Sequence, residues 1–345
     1  MLTLTAALLV FGLLVVVHEA GHFLVAKWNK VTVYEFSIGF GPQLAGRKYG
    51  GTLYSLRLLP LGGFVRMAGM TENDREVEGS FTLKTVGQRA GITAAGPAMN
   101  FLLAALLFIV VFTVLGVPQV NNVAVIGEVV PGRPAELAGL QAGDQILAVD
   151  GQRVNTWMEL VEQIRGKGTA SHPLTFEIAR KGSMLTVQVV PEMVNQVPQI
   201  GIRPQMYYQR LGVIEGMEMG IKQAVILSWA ITAGIVNMFT SGVEPGDLAG
   251  PVGITQMIGE AAQGGLANLL YFAGILSINL AIINLLPIPA LDGSRLIFLM
   301  LEKVRGKPIE PEKEALIHLI GFALLMALVL VITYQDIVRL LSQGS

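Results

Sequence analysis

The sequence contains no cysteine, which removes disulfide frameworks, thiolate catalysis and every thiolate-ligated metal site. Any metal must then be held by His, Asp or Glu. Charge is scarce as well: charged residues make up 14% of the chain, against about a quarter in ordinary soluble proteins. With a formal net charge of −1 and no basic stripe, nothing points to nucleic acid. The N-terminus lacks both a basic segment before its first apolar run and an A-x-A-like site after it. A cleaved secretory leader is therefore not the expected reading.

Hydrophobic residues fill the space that charge leaves, at 52% of the chain with a mean hydropathy of +0.58. They gather in runs close to the 20 or so residues that cross a bilayer, as expected of an α-helical polytopic membrane protein. The first run, about residues 3–27, is long enough for a tilted span; others cover about 92–117, 268–290 and 315–334. Between the first two, VTVYEFSIGF and TLYSLRLLPLGGFVRM alternate and are broken by Gly and Pro, which predicts a β-region over about 31–69. Residues 118–205 carry β-type segments, turn glycines and many charges, and are expected to form a soluble domain between the halves 1–117 and 206–345.

Charge placement orients these elements. From Lys27 to Arg89 there are nine basic and five acidic residues, and Arg295, Lys303, Arg305, Lys307 and Lys313 follow the third run. The positive-inside rule puts both segments in the cytoplasm and the soluble domain outside. The stretch 222–241 is ambiguous by length. If it crossed, the third run would be antiparallel to the first, and both basic segments could not be cytoplasmic. The expectation is four spans, with 222–241 an interfacial helix.

The first run contains HEAGH, residues 18–22. Two His four residues apart project from one helix face and can share a metal. Neutral imidazoles suit Zn²⁺, whose catalytic sites combine three protein ligands with a water. Glu19, beside the first ligand, can act as general base. Ordinary helix–helix hydrogen bonds are the competing explanation. Each ionisable group near a bilayer centre costs about 2.5–3.5 kcal/mol on insertion scales, and such groups are usually paired and functional, which favours the metal. For the third ligand, His172 reads as a solvated loop residue before Pro173 and His318 as an interfacial residue of the last run. Asp292 is the better candidate, at the end of an apolar run broken by Pro287 and Pro289. Its alternative is a capping role before Gly293. Gly96, Pro97 and Asn100, near the start of the second run, either line the site, with Asn100 facing it, or allow close helix packing.

HEAGH together with NLLPIPALDG (284–293) resembles the site-2 protease family of intramembrane zinc metalloproteases. EFSIGFGP (35–42), LLPLGGFVRMAG (58–69), AGPAMNF (95–101) and AGPVGITQM (249–257) extend the resemblance, and PGRPAELAGLQAGDQILAVDGQRV (131–154) looks like the core of a PDZ domain. The nearest branch is the bacterial RseP-like one, here with room for a single α+β PDZ domain. The resemblance implies one Zn²⁺ on His18, His22 and Asp292, with Glu19 as catalytic base. It implies Asn284 holding the substrate backbone or polarising its scissile carbonyl, and substrate contacts at Pro287, Pro289, Asn100, Gly39 and Gly41. Ser37–Gly41 and Leu58–Arg66 would offer strand edges to an unwound substrate helix; an interfacial hairpin is the plainer role. The implied partners are the lipid bilayer, a single-pass substrate such as an anti-sigma factor or remnant signal peptide, and a site-1 protease that trims it first. The implied location is the bacterial cytoplasmic (inner) membrane, with the PDZ domain outside as a size filter or a peptide reader. Two other functions compete. A non-enzymatic scaffold would have no use for Glu19, and a transporter predicts inverted repeats that the two halves do not show.

Overall fold

The computed structural model describes residues 1–70, 74, 77–168, 172–194, 197–242 and 249–343. It divides into two units, Met1–Leu115 with Leu211–Ser345, and Gly116–Arg210.

The first unit opens with α1 (Leu2–Trp28), whose buried stripe is Ala6, Ala7, Val10, Leu14, His18, Gly21, His22 and Ala26. That spacing of three and four residues is one helix face. The two histidines continue the packing stripe instead of interrupting it.

A paired region follows, β1 (Val33–Tyr49) and β2 (Thr52–Met67). Its register shifts repeatedly, so that Glu35–Ile38 pair with Gly63–Arg66 on one side and Leu53–Leu56 on the other. The buried Glu35 carboxylate accepts hydrogen bonds from Ser55 Oγ at 2.7 Å and Arg57 Nη2 at 2.6 Å, while Arg57 Nη1 reaches the Gly41 carbonyl at 2.7 Å. Burial pushes the Glu35 pKa upward, but the Arg57 and Ser55 donors outweigh it and hold the group below its ordinary value.

Helix α2 (Val86–Val110) starts at a capping box between Thr85 and Gln88 and continues through a π-turn, Val111–Leu115. Within this unit it packs against α1, α5 (Val213–Ser241), α7 (Leu266–Leu285) and α8 (Asp292–Arg305). Gly274 of α7 fits against the Phe108 ring, and Ser277 Oγ donates to the Asn100 carbonyl at 2.7 Å. Arg89 makes a two-pronged ion pair with Glu302, tying α8 to the start of α2. Helix α6 (Pro251–Gln263) packs on the beginning of α1, where Gly259 meets Thr3; its first turn is capped by Asp336 of α9 (Pro311–Gln343), which accepts the Gly253 N–H at 2.8 Å.

Five helices among the described residues are long and apolar enough to cross a membrane, and the chain is a multi-pass membrane protein. The stretch expected over 222–241 belongs to α5, which begins nine residues earlier, at Val213; its best window has a mean hydropathy of 1.5, against 2.0–2.8 for the others. The third expected run, 268–290, is helical only to Leu285. Pro287 has no N–H to donate to the Ile283 carbonyl and drives Leu286 into an extended conformation, so the helix must stop there.

In the second unit a four-stranded sheet, ordered β6–β5–β7–β8 (Gln152–Arg153, Gln145–Val149, Leu174–Arg180, Ser183–Val189), packs on α4 (Trp157–Lys167) around a core including Ile146, Val149, Leu160, Phe176 and Ile178. The short helix α3 (Pro134–Leu137) and the pair β9 (Glu192–Val194) and β10 (Val197–Gln199) complete it. Its two ends meet: β3 (Val117–Val120) pairs with β12 (Met206–Gln209), and β4 (Ile126–Val129) with β11 (Ile202–Pro204).

Because the folded-state pKa of Glu35 is depressed, its stabilisation is complete above the ordinary value of 4.5 and is lost as pH falls below it. The thermal midpoint in detergent is expected to fall with acidification in that window, and the Glu35→Gln variant to be less stable at neutral pH with a shallower acid dependence.

A candidate metal centre at the ends of two helices

Two helix ends supply the centre. His18 and His22 lie on the second half of α1, and Asp292 begins α8 directly after the Pro-interrupted end of α7. Their donor atoms form a nearly equilateral triangle: His18 Nε2 to His22 Nε2 is 3.2 Å, and Asp292 Oδ2 stands 3.2 Å from the first and 3.3 Å from the second. Tetrahedral ligands at about 2.0–2.1 Å from a zinc ion are roughly 3.3 Å apart. The triangle therefore has the edge length of one face of such a tetrahedron. His18, His22 and Asp292 are the metal-capable cluster found among the described residues.

The outer atoms of the imidazoles fit the same use. His22 Nδ1 is 2.8 Å from the Ile92 carbonyl, which can only accept, so Nδ1 carries the proton and the Nε2 lone pair faces the triangle. His18 Nδ1 lies 3.2 Å from the Asn100 amide nitrogen, while the buried Asn100 Oδ1 has no hydrogen-bond partner among the described residues. Rotating that amide by 180° gives the orphaned oxygen a proton to accept from His18 Nδ1 and frees the His18 Nε2 lone pair. This is the arrangement that a metal-ligating histidine requires of its neighbour. Asp292 Oδ2 is likewise buried without a hydrogen-bond partner, a costly state that a cation would relieve.

Close approach of α2 makes room for this. A Cβ on Gly96 would clash with His22 Nε2 at 2.3 Å and with His18 Nε2 at 2.8 Å, and one on Gly21 would strike the Ala95 carbonyl. Asp292 is aimed by α8, which the Arg89–Glu302 pair anchors, and by Gly293, packed beneath the Leu285 and Leu286 carbonyls with no space for a side chain. Glu19 sits half-buried beside the triangle, next to β2. Gly63 passes so near that an added Cβ would lie 3.3 Å from Glu19 Cγ.

The other residues singled out from sequence fall in different places. Asn100 is fully buried and faces the site, where it reaches the outer nitrogen of His18. Asn284 is on the last turn of α7 with its amide on the Leu280 carbonyl at 2.9 Å. Pro287 is exposed and Pro289 packs on Gly321 of α9. Gly39 and Gly41 take φ of +89° and +85° in the middle of β1. His172 is in the second unit, and His318 bonds to the Ala290 N–H, apart from the triangle. The Ile92 carbonyl and the Arg89–Glu302 pair carry no sequence signature, because backbone atoms and distant ion pairs leave none.

Gly96→Ala is expected to lower bound zinc at least tenfold with helix content unchanged. Gly91→Ala, on the same helix with nothing within 4 Å, should leave it untouched. Metal analysis of the purified variants and circular dichroism read the two effects.

The chain is similar to known proteins over nearly its whole length. The chain is 36% identical to the zinc metalloprotease RasP of Geobacillus kaustophilus, over 96% of both chains. It is 33% identical to the regulator of sigma-W protease RasP of Bacillus subtilis, over 98% of this chain and 99% of that one. Among solved structures, the PDZ domain of an SdrC-like protein from Listeria monocytogenes aligns with 25% of this chain and 90% of its own, at 19% identity and a TM-score of 0.22. The model of peptidase family M50 matches residues 6–328, a stretch that takes in both helix ends that build the triangle, and the chain belongs to that family.

Proposed function

We propose that this chain, a zinc metalloendopeptidase of peptidase family M50, works within the membrane and cleaves the transmembrane segments of single-pass membrane proteins. The observation that carries the reading is the meeting of three ligand atoms at 3.2–3.3 Å, two from the apolar helix α1 and one from the start of α8, with the Glu19 carboxylate beside them. His18, His22 and Asp292 would hold the ion. Zinc bound there supplies a Lewis acid that polarises a carbonyl and acidifies water. Glu19 takes a proton from the attacking water and delivers it to the departing amide nitrogen. Asn100, through His18, and the Ile92 carbonyl, through His22, keep both ring protons on Nδ1.

A substrate helix hides its carbonyls in i→i−4 bonds and must unwind before attack. Of the two expected stretches, Ser37 and Ile38 are already paired on both sides, so Leu58–Arg66 and Gly39–Gly41 are the extended backbone offered to the freed strand, with Asn284, Pro287 and Pro289 along its path. The name of the B. subtilis relative supports an anti-sigma factor as substrate, trimmed first by a site-1 protease. The second unit then acts as a PDZ domain that excludes untrimmed substrates.

The proposed topology has four spans in the bacterial cytoplasmic membrane, the metal centre toward the cytoplasm and the second unit outside. In this topology α1 and α7 run the same way, and α2 returns between them. A crossing by α5 would need a second return before α7. Helix α6, with 13 residues, is about 20 Å long and too short to span a core of about 30 Å.

Purified protein with a trimmed single-pass substrate tests the reading. Glu19→Gln is expected to keep its zinc and lose cleavage by about 10²–10⁴-fold. Equal cleavage by both proteins overturns it.

A further inference from the structure

The turn that delivers Asp292 is strained. Ala290, two residues before it, has a φ of +79°, a conformation in which the Cβ of an L-residue crowds its own carbonyl and which Gly adopts freely. The turn is short, with Ile288 N–H bonded to the Leu286 carbonyl at 2.7 Å and Leu291 N–H to that of Ile288 at 3.1 Å. The Ala290 N–H points outward instead and donates to His318 Nδ1 of α9 at 2.9 Å.

His318 is built in for that contact. Its side chain is 18% exposed on a helix whose surrounding positions, Leu316, Ile317, Leu319 and Ile320, are all exposed. Phe298 of α8 meets its ring edge-on at 5.6 Å between centroids. One turn along α9, Gly321 lets Pro289 pack so closely that a Cβ would strike it. Accepting from Ala290 requires Nδ1 to be unprotonated, so the neutral ring carries its hydrogen on Nε2, where the Glu314 carboxylate stands 3.8 Å away.

We propose that His318 is a positioning residue for Asp292. By accepting the Ala290 N–H it holds the left-handed turn that aims the Asp292 carboxylate at His18 and His22. The inference rests on the metal-centre reading and concerns zinc affinity, with no role for His318 on substrate.

The test measures zinc affinity of the full-length protein in detergent by competition with a chromophoric chelator. Wild type must bind zinc and His22→Ala must lose it; failure of either removes the metal-centre reading itself. On that baseline His318→Leu is expected to weaken zinc binding about tenfold or more, the usual effect of losing a partner behind a metal ligand. His318→Asn, which keeps an acceptor near the Nδ1 position, should bind nearly as wild type. Adding Ala290→Gly to His318→Leu should recover most of the loss, because Gly holds the turn without help. The proposal is overturned if His318→Leu binds as tightly as wild type, if His318→Asn is as weak as His318→Leu, or if Ala290→Gly recovers nothing. Should His318→Leu fail to fold, the double variant must fold and bind zinc, or the proposal falls.

Discussion

Two imidazoles and a carboxylate converge within 3.3 Å inside a helical bundle, and everything around them answers the cost of that convergence. Ionisable groups removed from water are tolerated when paired and when their remaining polar atoms are satisfied. Ile92 and Asn100 serve the outer nitrogens of the two rings. Those partners reach the rings because α2 approaches α1 through Gly21, Ala95 and Gly96 without intervening side chains. Helix α2 then fixes α7 through Ser277 and α8 through Arg89. The helix that contributes no ligand thus sets the relative position of the two segments that do.

The paired region β1–β2 is bound to the same centre through Glu19. Gly63 of β2 comes so near that an added Cβ would lie 3.3 Å from Glu19 Cγ and 3.4 Å from Val15 Cγ1. The extended backbone is thus packed directly against the base. The Glu35, Ser55 and Arg57 cluster keeps the region's shifted register in place from its other side.

Much of this was legible in the sequence because the signals were periodic or chemical. HEAGH announces a shared helix face by its i, i+4 spacing, and long uncharged runs announce membrane helices. What escaped was set by tertiary contact. The end of α7 at Leu285 follows from Pro287, visible in principle but masked by the apolar run that carries on past it. Helix α5 reaches back to Val213 because Gly216 and Gly220 let it lie on Thr113 and Ile109 of α2, a match between distant residues that no local pattern encodes. From sequence, Asn100 either faces the site or allows close helix packing; its contact with His18 is a match between distant residues that the sequence alone does not display. His318 read as an interfacial residue because nothing in its own neighbourhood reveals the strained alanine it meets.

The pairing of Val117 with Gln209 closes the second unit at its base, and just beyond it the Leu211 N–H bonds to the Phe112 carbonyl. For the helical core, the chain leaves and returns at one point, as it would around a tight loop. An insertion with coincident ends imposes almost no closure constraint on its host. The inserted unit can therefore be lengthened, duplicated or replaced over evolutionary time while the helices keep the spacing on which the triangle depends. The two units are free to change at different rates within one polypeptide.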